Sequence, residues 1–458
     1  MKTGPFRQRR CDADPRHPSC RPRGRGRTLR AVPGLIRSVL QAVAPPRRTG
    51  AGEAALRAIR FHYRPARYLW TRWAAARRAS LALGPLGCVA LDDVEPPALP
   101  GEGWVRVATS LSGICGSDLA AVLAQDSFTL EPFGAYPFTF GHENVGRVIE
   151  TSGATGYDAG DRVVVNPMLA CAQRGIDPPC DACARGEYGL CRRTAHGVPG
   201  PGPMIGFCPG AGGGWSASFV AHRSQLHRAD GLEDETAVLV DAYASALRGV
   251  LLQPPREGDT VLVIGAGTIG ALTVHALRAT GWTGTVGVLG RHDFQLELAE
   301  RAGADHRFRT VDEAYRWAAG LPGATAYRPT LASRFVEGGP SLVYDTVGSS
   351  GTIGNALALT REGGRIVVVG SAARVKADWT RVWYRQLTVA GIFAYGMAPF
   401  GGERRDIYAV ALELVRADRL AGLEMLTHVF GLEDYRGALT TALDKRGHRS
   451  VKVAFRPA

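Results

Sequence analysis

Thr260-Val-Leu-Val-Ile264, followed at once by Gly265-Ala-Gly267-Thr268-Ile269-Gly270, is the stretch that decides the fold. Five aliphatic or β-branched residues without alternation read as a strand buried on both faces, the habit of a parallel sheet. The glycine hexad then opens a helix. Its first glycine permits a tight turn, its second lets backbone approach a pyrophosphate, and its third lets the helix pack closely on the strand. A helix N-terminus there favours an anion. Alone the hexad is weak, since any glycine-rich turn produces it; its place between strand and helix gives it weight. Gly265, Gly267, Thr268, Ile269 and Gly270 are therefore the candidate dinucleotide contacts.

Working outward, Thr285-Val-Gly-Val-Leu289, Leu342-Val-Tyr-Asp345 and Arg365-Ile-Val-Val-Val369 repeat the buried-strand pattern, with a helix expected over Gln295–Gly303. Strands alternating with helices predict a doubly wound parallel sheet over 241–396. The strand after the hexad ends Gly287-Val-Leu-Gly290-Arg291-His292, without the carboxylate that binds the ribose 2′-hydroxyl of NAD. A small residue followed by a guanidinium leaves room and charge for a 2′-phosphate, so Gly290 and Arg291 favour NADP over NAD. A carboxylate at Gly290 with Arg291 removed would reverse that order. Upstream the texture changes: Gly103-Trp-Val-Arg-Val-Ala-Thr109, Gly146-Arg-Val-Ile-Glu150 and Asp161-Arg-Val-Val-Val165 alternate between turns, as in a β-rich, barrel-type domain over 56–240. Its first strand is expected at Leu56. Residues 397–458 read as one helix, Tyr408–Arg416, and a last strand, Val451–Phe455, returning to that domain.

The net charge of +13 suggests nucleic acid until its distribution is seen. Residues 1–80 hold 20 Lys and Arg against three acids, while the rest holds 35 against 39. The body is mildly acidic, and nucleic-acid binding is not expected of it. Residues 1–55, rich in Arg, Pro and Gly, read as a disordered extension. No signal peptide or membrane span is apparent, so a cytoplasmic protein is expected.

Nine cysteines are present, four of them in one loop: Cys171, Cys180, Cys183 and Cys191. A Cys-x2-Cys pair flanked by two further thiols in a Pro/Gly-rich segment suits a closed, tetrahedral structural zinc site. Cys115, in Ser112-Gly-Ile-Cys-Gly-Ser-Asp118, and His142, in Gly141-His-Glu-Asn-Val-Gly146, read singly as an ordinary buried thiol and an ordinary histidine.

Taken in order, Gly-Ile-Cys-Gly-Ser-Asp, Gly-His-Glu-x-x-Gly, the cysteine loop, Leu239-Val-Asp241 and the glycine hexad resemble the zinc-containing medium-chain dehydrogenase/reductase family across residues 56–458. The resemblance implies a GroES-like catalytic domain joined to a Rossmann domain, with the active site between them. It implies a catalytic zinc on Cys115, His142 and Asp241. It makes Glu143 an adjacent carboxylate able to reach the metal transiently, Asp118 the group that orients His142, and Ser117 the hydroxyl that carries the substrate proton. Two zinc ions per chain, an alcohol, aldehyde or ketone substrate and a homodimer or homotetramer follow as expectations. Two features depart from the family. The first structural thiol is set apart by an insertion, leaving Asp177 as the alternative to Cys171, and Ala120 stands where relatives with a histidine relay carry it. Phe140 and Trp215 are expected along the substrate pocket. A zinc-free enone or quinone reductase and a non-catalytic nucleotide-binding protein remain as the rival readings.

Overall fold

The computed structural model describes residues 55–457. The expectation for the Arg-rich extension, 1–55, falls almost wholly outside them.

Six parallel strands form one sheet in the order His306–Phe308, Val286–Leu289, Val261–Ile264, Leu342–Asp345, Arg365–Val368 and Thr388–Gly391. From the hexad strand the chain moves outward in one direction, then crosses back to build the other half. The switch point therefore lies at the carboxyl end of Val261–Ile264, where such sheets bind ligands. All four residues of that strand are buried, as an uninterrupted aliphatic run requires. The helix it feeds, Thr268–Ala279, is buried continuously from Gly270 to Leu277. Close packing there depends on Gly270, because a Cβ on it would lie 1.8 Å from the Gly265 carbonyl oxygen.

The second large sheet has seven strands, centred on Trp104–Gly113, which pairs antiparallel with Glu143–Thr151, Ser218–His222 and Lys452–Phe455. The register Ala454↔Gly113 returns the end of the chain to the stretch before Cys115. A third sheet begins at Leu56, as expected, and joins Leu56–Phe61 to Val89–Val94 and Phe138–Thr139.

Short helices interrupt the expected β texture, and a longer one does so near its start. Residues Pro65–Arg77 form a helix, with Pro65 in the first turn, where its missing N–H costs nothing. Ala74-Ala-Ala76 suits helix, and Tyr68, Thr71 and Ala74 supply its buried face. Elsewhere the ends shift slightly: the helix expected over Gln295–Gly303 spans Asp293–Arg301, and that over Tyr408–Arg416 spans Ile407–Asp418. Among the described residues no helix is long and apolar enough to cross a membrane.

Candidate active site

Cys115 caps the N-terminus of the helix Gly116–Val122, and Asp118 sits at its third position. The Cys115 N–H donates to Asp118 Oδ2 at 2.9 Å, which fixes the carboxylate. The other oxygen, Oδ1, lies 3.2 Å from His142 Nδ1, with Asp118 fully buried and His142 5% exposed. That approach sets the carboxylate at the Nδ1 edge of the imidazole as a charge contact without hydrogen-bond geometry. Ser117, beside Cys115, is partly exposed.

Glu143 follows His142 into the strand Glu143–Thr151. Gly113 leaves it room, since a Cβ there would meet Glu143 Oε2 at 2.0 Å. Lys452, from the last strand, donates to Glu143 Oε1 at 2.7 Å, and both residues are buried. Sequence reading passed over Lys452; a lysine inside an apolar terminal strand was the available signal.

Donor atoms of Cys115, His142 and Glu143 gather within 4.8 Å of one another. Asp241, on the helix Val240–Leu252, is not in that group. It is 3% exposed, and its Oδ2 has no hydrogen-bond partner. Burial drives its carboxyl up to about 7, against the pull of His142. His142 is itself held above the usual imidazole range: burial lowers it, but Asp118 and then Cys115 outweigh that. A thiol, an imidazole and an orphaned carboxylate oxygen sharing charge in a buried space fit a divalent cation such as zinc.

The four loop thiols of Cys171, Cys180, Cys183 and Cys191 also lie within 4.8 Å of one another. Asp177 is exposed and outside the group, so the closed set comprises four sulfurs. The insertion between Cys171 and Cys180 is anchored by buried Arg174. Its guanidinium donates to the carbonyls of Leu169, His196 and Gly200 at 2.8–2.9 Å, and to that of Gly202. Backbone N–H groups help to draw the Cys180 thiol down to about 6 although burial opposes this, so it is poised as a thiolate ligand. These residues fit a structural zinc.

At the dinucleotide turn, Gly267 caps the helix Thr268–Ala279, and the first turn carries no acid. The Thr268 hydroxyl donates to the Val451 carbonyl at 3.1 Å, tying this helix to the end of the chain. Arg291 is exposed. Gly290 is tightly placed, for a Cβ there would lie 2.5 Å from Ala266 Cβ. Phe140 and Trp215 do not line an open pocket. Both are fully buried with ring centroids 4.9 Å apart, in an apolar core behind His142. The aromatic residues that do approach the site are Phe207, 5.7 Å from the His142 ring, and Tyr395, whose hydroxyl donates to the Asp241 carbonyl at 3.5 Å.

Two family models match: the alcohol dehydrogenase GroES-like domain over residues 101–231 and zinc-binding dehydrogenase over 268–416. The starvation-sensing protein RspB of Escherichia coli K12 is 30% identical over 276 residues, 59% of this chain and 70% of that protein. L-idonate 5-dehydrogenase of Vitis vinifera is 27% identical over 372 residues, 79% of this chain and 91% of the relative. An alcohol dehydrogenase of Escherichia coli CFT073, solved with NADH, superimposes with a TM-score of 0.65 at 21% identity, covering 88% of this chain and all of the other. The chain belongs to the zinc-dependent medium-chain dehydrogenase/reductase family. It is an oxidoreductase that exchanges hydride between an alcohol or carbonyl compound and a nicotinamide cofactor.

Proposed function

We propose that the chain is a zinc-dependent, NADP-preferring dehydrogenase of a small alcohol, or the reductase of the matching aldehyde or ketone. Cys115, His142 and Asp241 hold the catalytic metal, and Cys171, Cys180, Cys183 and Cys191 hold a second, structural one. The observation that carries this reading is the orphaned, buried Asp241 oxygen in charge contact with His142. Bound there, zinc would supply Lewis-acid polarisation of the substrate oxygen, and the nicotinamide the hydride chemistry.

The chain's own residues do the rest. Asp118 keeps His142 turned toward the metal position, as carboxylates commonly do for ligating histidines. Ser117 hydrogen-bonds the substrate oxygen and takes its proton. Ala120 offers no imidazole beyond it, so the proton leaves through water or the cofactor ribose. Lys452 neutralises Glu143, whose carboxylate stays within 4.8 Å of the Cys115 and His142 donor atoms and so close enough to reach the metal. Gly265–Gly270 receive the pyrophosphate, and Arg291 the 2′-phosphate. The thiol loop requires a reducing cytoplasm, and a homodimer or homotetramer is the proposed assembly.

The test is His142→Ala. It should lose one of two zinc ions and all turnover while still binding dinucleotide, because the cofactor contacts lie on the parallel sheet. Normal turnover in that variant would remove the assigned metal site.

A further inference from the structure

The helix Pro65–Arg77 turns a row of apolar side chains outward. Ala66, Leu69, Trp73 and Ala76 recur at helical spacing, which places them on one side of it, and all four are exposed. Leu69 is 61% and Trp73 51% exposed, whereas Tyr68, Thr71 and Ala74 are buried. Neighbouring segments extend the apolar surface. Arg67 donates to the Pro85 carbonyl at 2.8 Å, which brings the exposed Leu86 beside the helix. Arg72 donates to the Ala124 carbonyl at 2.9 Å, and the Tyr68 ring meets the exposed Phe128 ring at 5.6 Å. The charge here has one sign, for residues 54–91 hold seven arginines and no acid. Arg57 pairs with Asp93 and Glu433, but among the described residues Arg64, Arg67, Arg72, Arg77 and Arg78 pair with no carboxylate. Arg77 lies over the Trp73 ring, 3.7 Å from its centroid, so cation and aromatic are presented together.

Large apolar side chains grouped together in water mark an interaction surface. A second copy of this chain is a poor occupant, because a two-fold contact would set the same arginines against themselves. An anionic bilayer matches both features of the surface. Its acyl boundary takes the apolar row, and its headgroups take the guanidiniums. Trp suits that boundary, its ring being apolar with one polar edge. We infer that the helix Pro65–Arg77 is a docking face for an anionic lipid surface, to which the chain binds peripherally. Leu69 and Trp73 enter the boundary, while Arg64, Arg77 and Arg78 stay at the level of the headgroups.

The experiment is cosedimentation of the full chain with vesicles of phosphatidylcholine mixed with phosphatidylglycerol, and of phosphatidylcholine alone. The wild type should bind the mixed vesicles about tenfold more tightly or better, an advantage that salt erodes. Leu69→Glu together with Trp73→Glu should weaken that binding by roughly tenfold or more. Both side chains are exposed, so melting temperature and zinc content should not change. Brominated lipid should quench tryptophan emission of the wild type, and Trp73→Phe should remove most of that quenching. This second readout tests the face even if the double variant folds poorly. Retained binding in the folded double variant assigns the affinity to the Arg-rich residues 1–54 and overturns the docking face. Equal quenching in Trp73→Phe overturns it as well. No binding to mixed vesicles also overturns it, leaving an acidic protein or a second copy as the occupant.

Discussion

Lys452 and Glu143 form a buried ion pair, Nζ to Oε1 at 2.7 Å, directly behind the Cys115–His142 pair. The lysine comes from the last strand and the glutamate from the strand on the opposite side of Trp104–Gly113, which pairs with both, so closure of the chain completes the site's charge balance. Removing one partner leaves the other charge buried and unpaired. Lys452→Met should cost about 3–5 kcal/mol in thermal or urea unfolding. Adding Glu143→Gln should recover most of that loss. A loss below about 1 kcal/mol in the single variant would show that the pair is solvated.

Metal content is the second expectation. Elemental analysis of freshly purified protein should return two zinc ions per chain, since two separate donor sets are assembled. Cys183→Ser should lose one ion and lower the unfolding midpoint, because a structural zinc contributes folding free energy. One ion or none in the unaltered protein would refute the two-site reading.

Cofactor choice gives the third. The exposed Arg291 predicts a higher kcat/KM with NADP than with NAD. The substitution suggested by sequence, Gly290→Asp, has no room, since its Cβ would press on Ala266. Arg291→Asp removes the cation and brings a carboxylate to the neighbouring position without that clash. It should shift the NADP:NAD ratio toward NAD by about tenfold or more. If the unaltered enzyme prefers NAD, Arg291 is a solvated surface residue.

Asp126 supplies a pH dependence. Burial, then repulsion from Asp118, raises its carboxyl from 3.8 to about 6. The folded state therefore holds that proton more tightly than the unfolded chain does. Its contribution to stability is intact below the unfolded value and is lost as pH rises through the folded one. Asp126→Asn should raise the melting temperature near pH 8, by no more than about 2–3 kcal/mol of stability, and change it little near pH 4. An equal effect at both ends would show that ionisation of Asp126 plays no part.

What was legible in the sequence was local. The buried strand before Gly265 and the turn that follows it lie within eleven consecutive residues, so spacing alone carries their geometry. The four thiols share one loop, for the same reason. Cys115, His142 and Asp241 are far apart in the chain, and only the ordered resemblance to a family joined them. The strand that begins at Leu56 was legible, but its pairing with Val89–Val94 and the helix Pro65–Arg77 between them were not, because an arginine-rich segment gives little apolar periodicity.

The sequence by itself determined the buried strands of the parallel sheet, the dinucleotide turn and the loop that gathers four sulfurs, because each is written in a short run of consecutive residues. Tertiary structure alone decided which charges face one another. It set Lys452 on Glu143, left Asp241 with an orphaned oxygen, brought Lys445 to Gly267, and moved Phe140 and Trp215 from an imagined pocket into the core. Those outcomes follow from strand register and burial, which join residues by distance in space and leave no trace in their spacing along the chain.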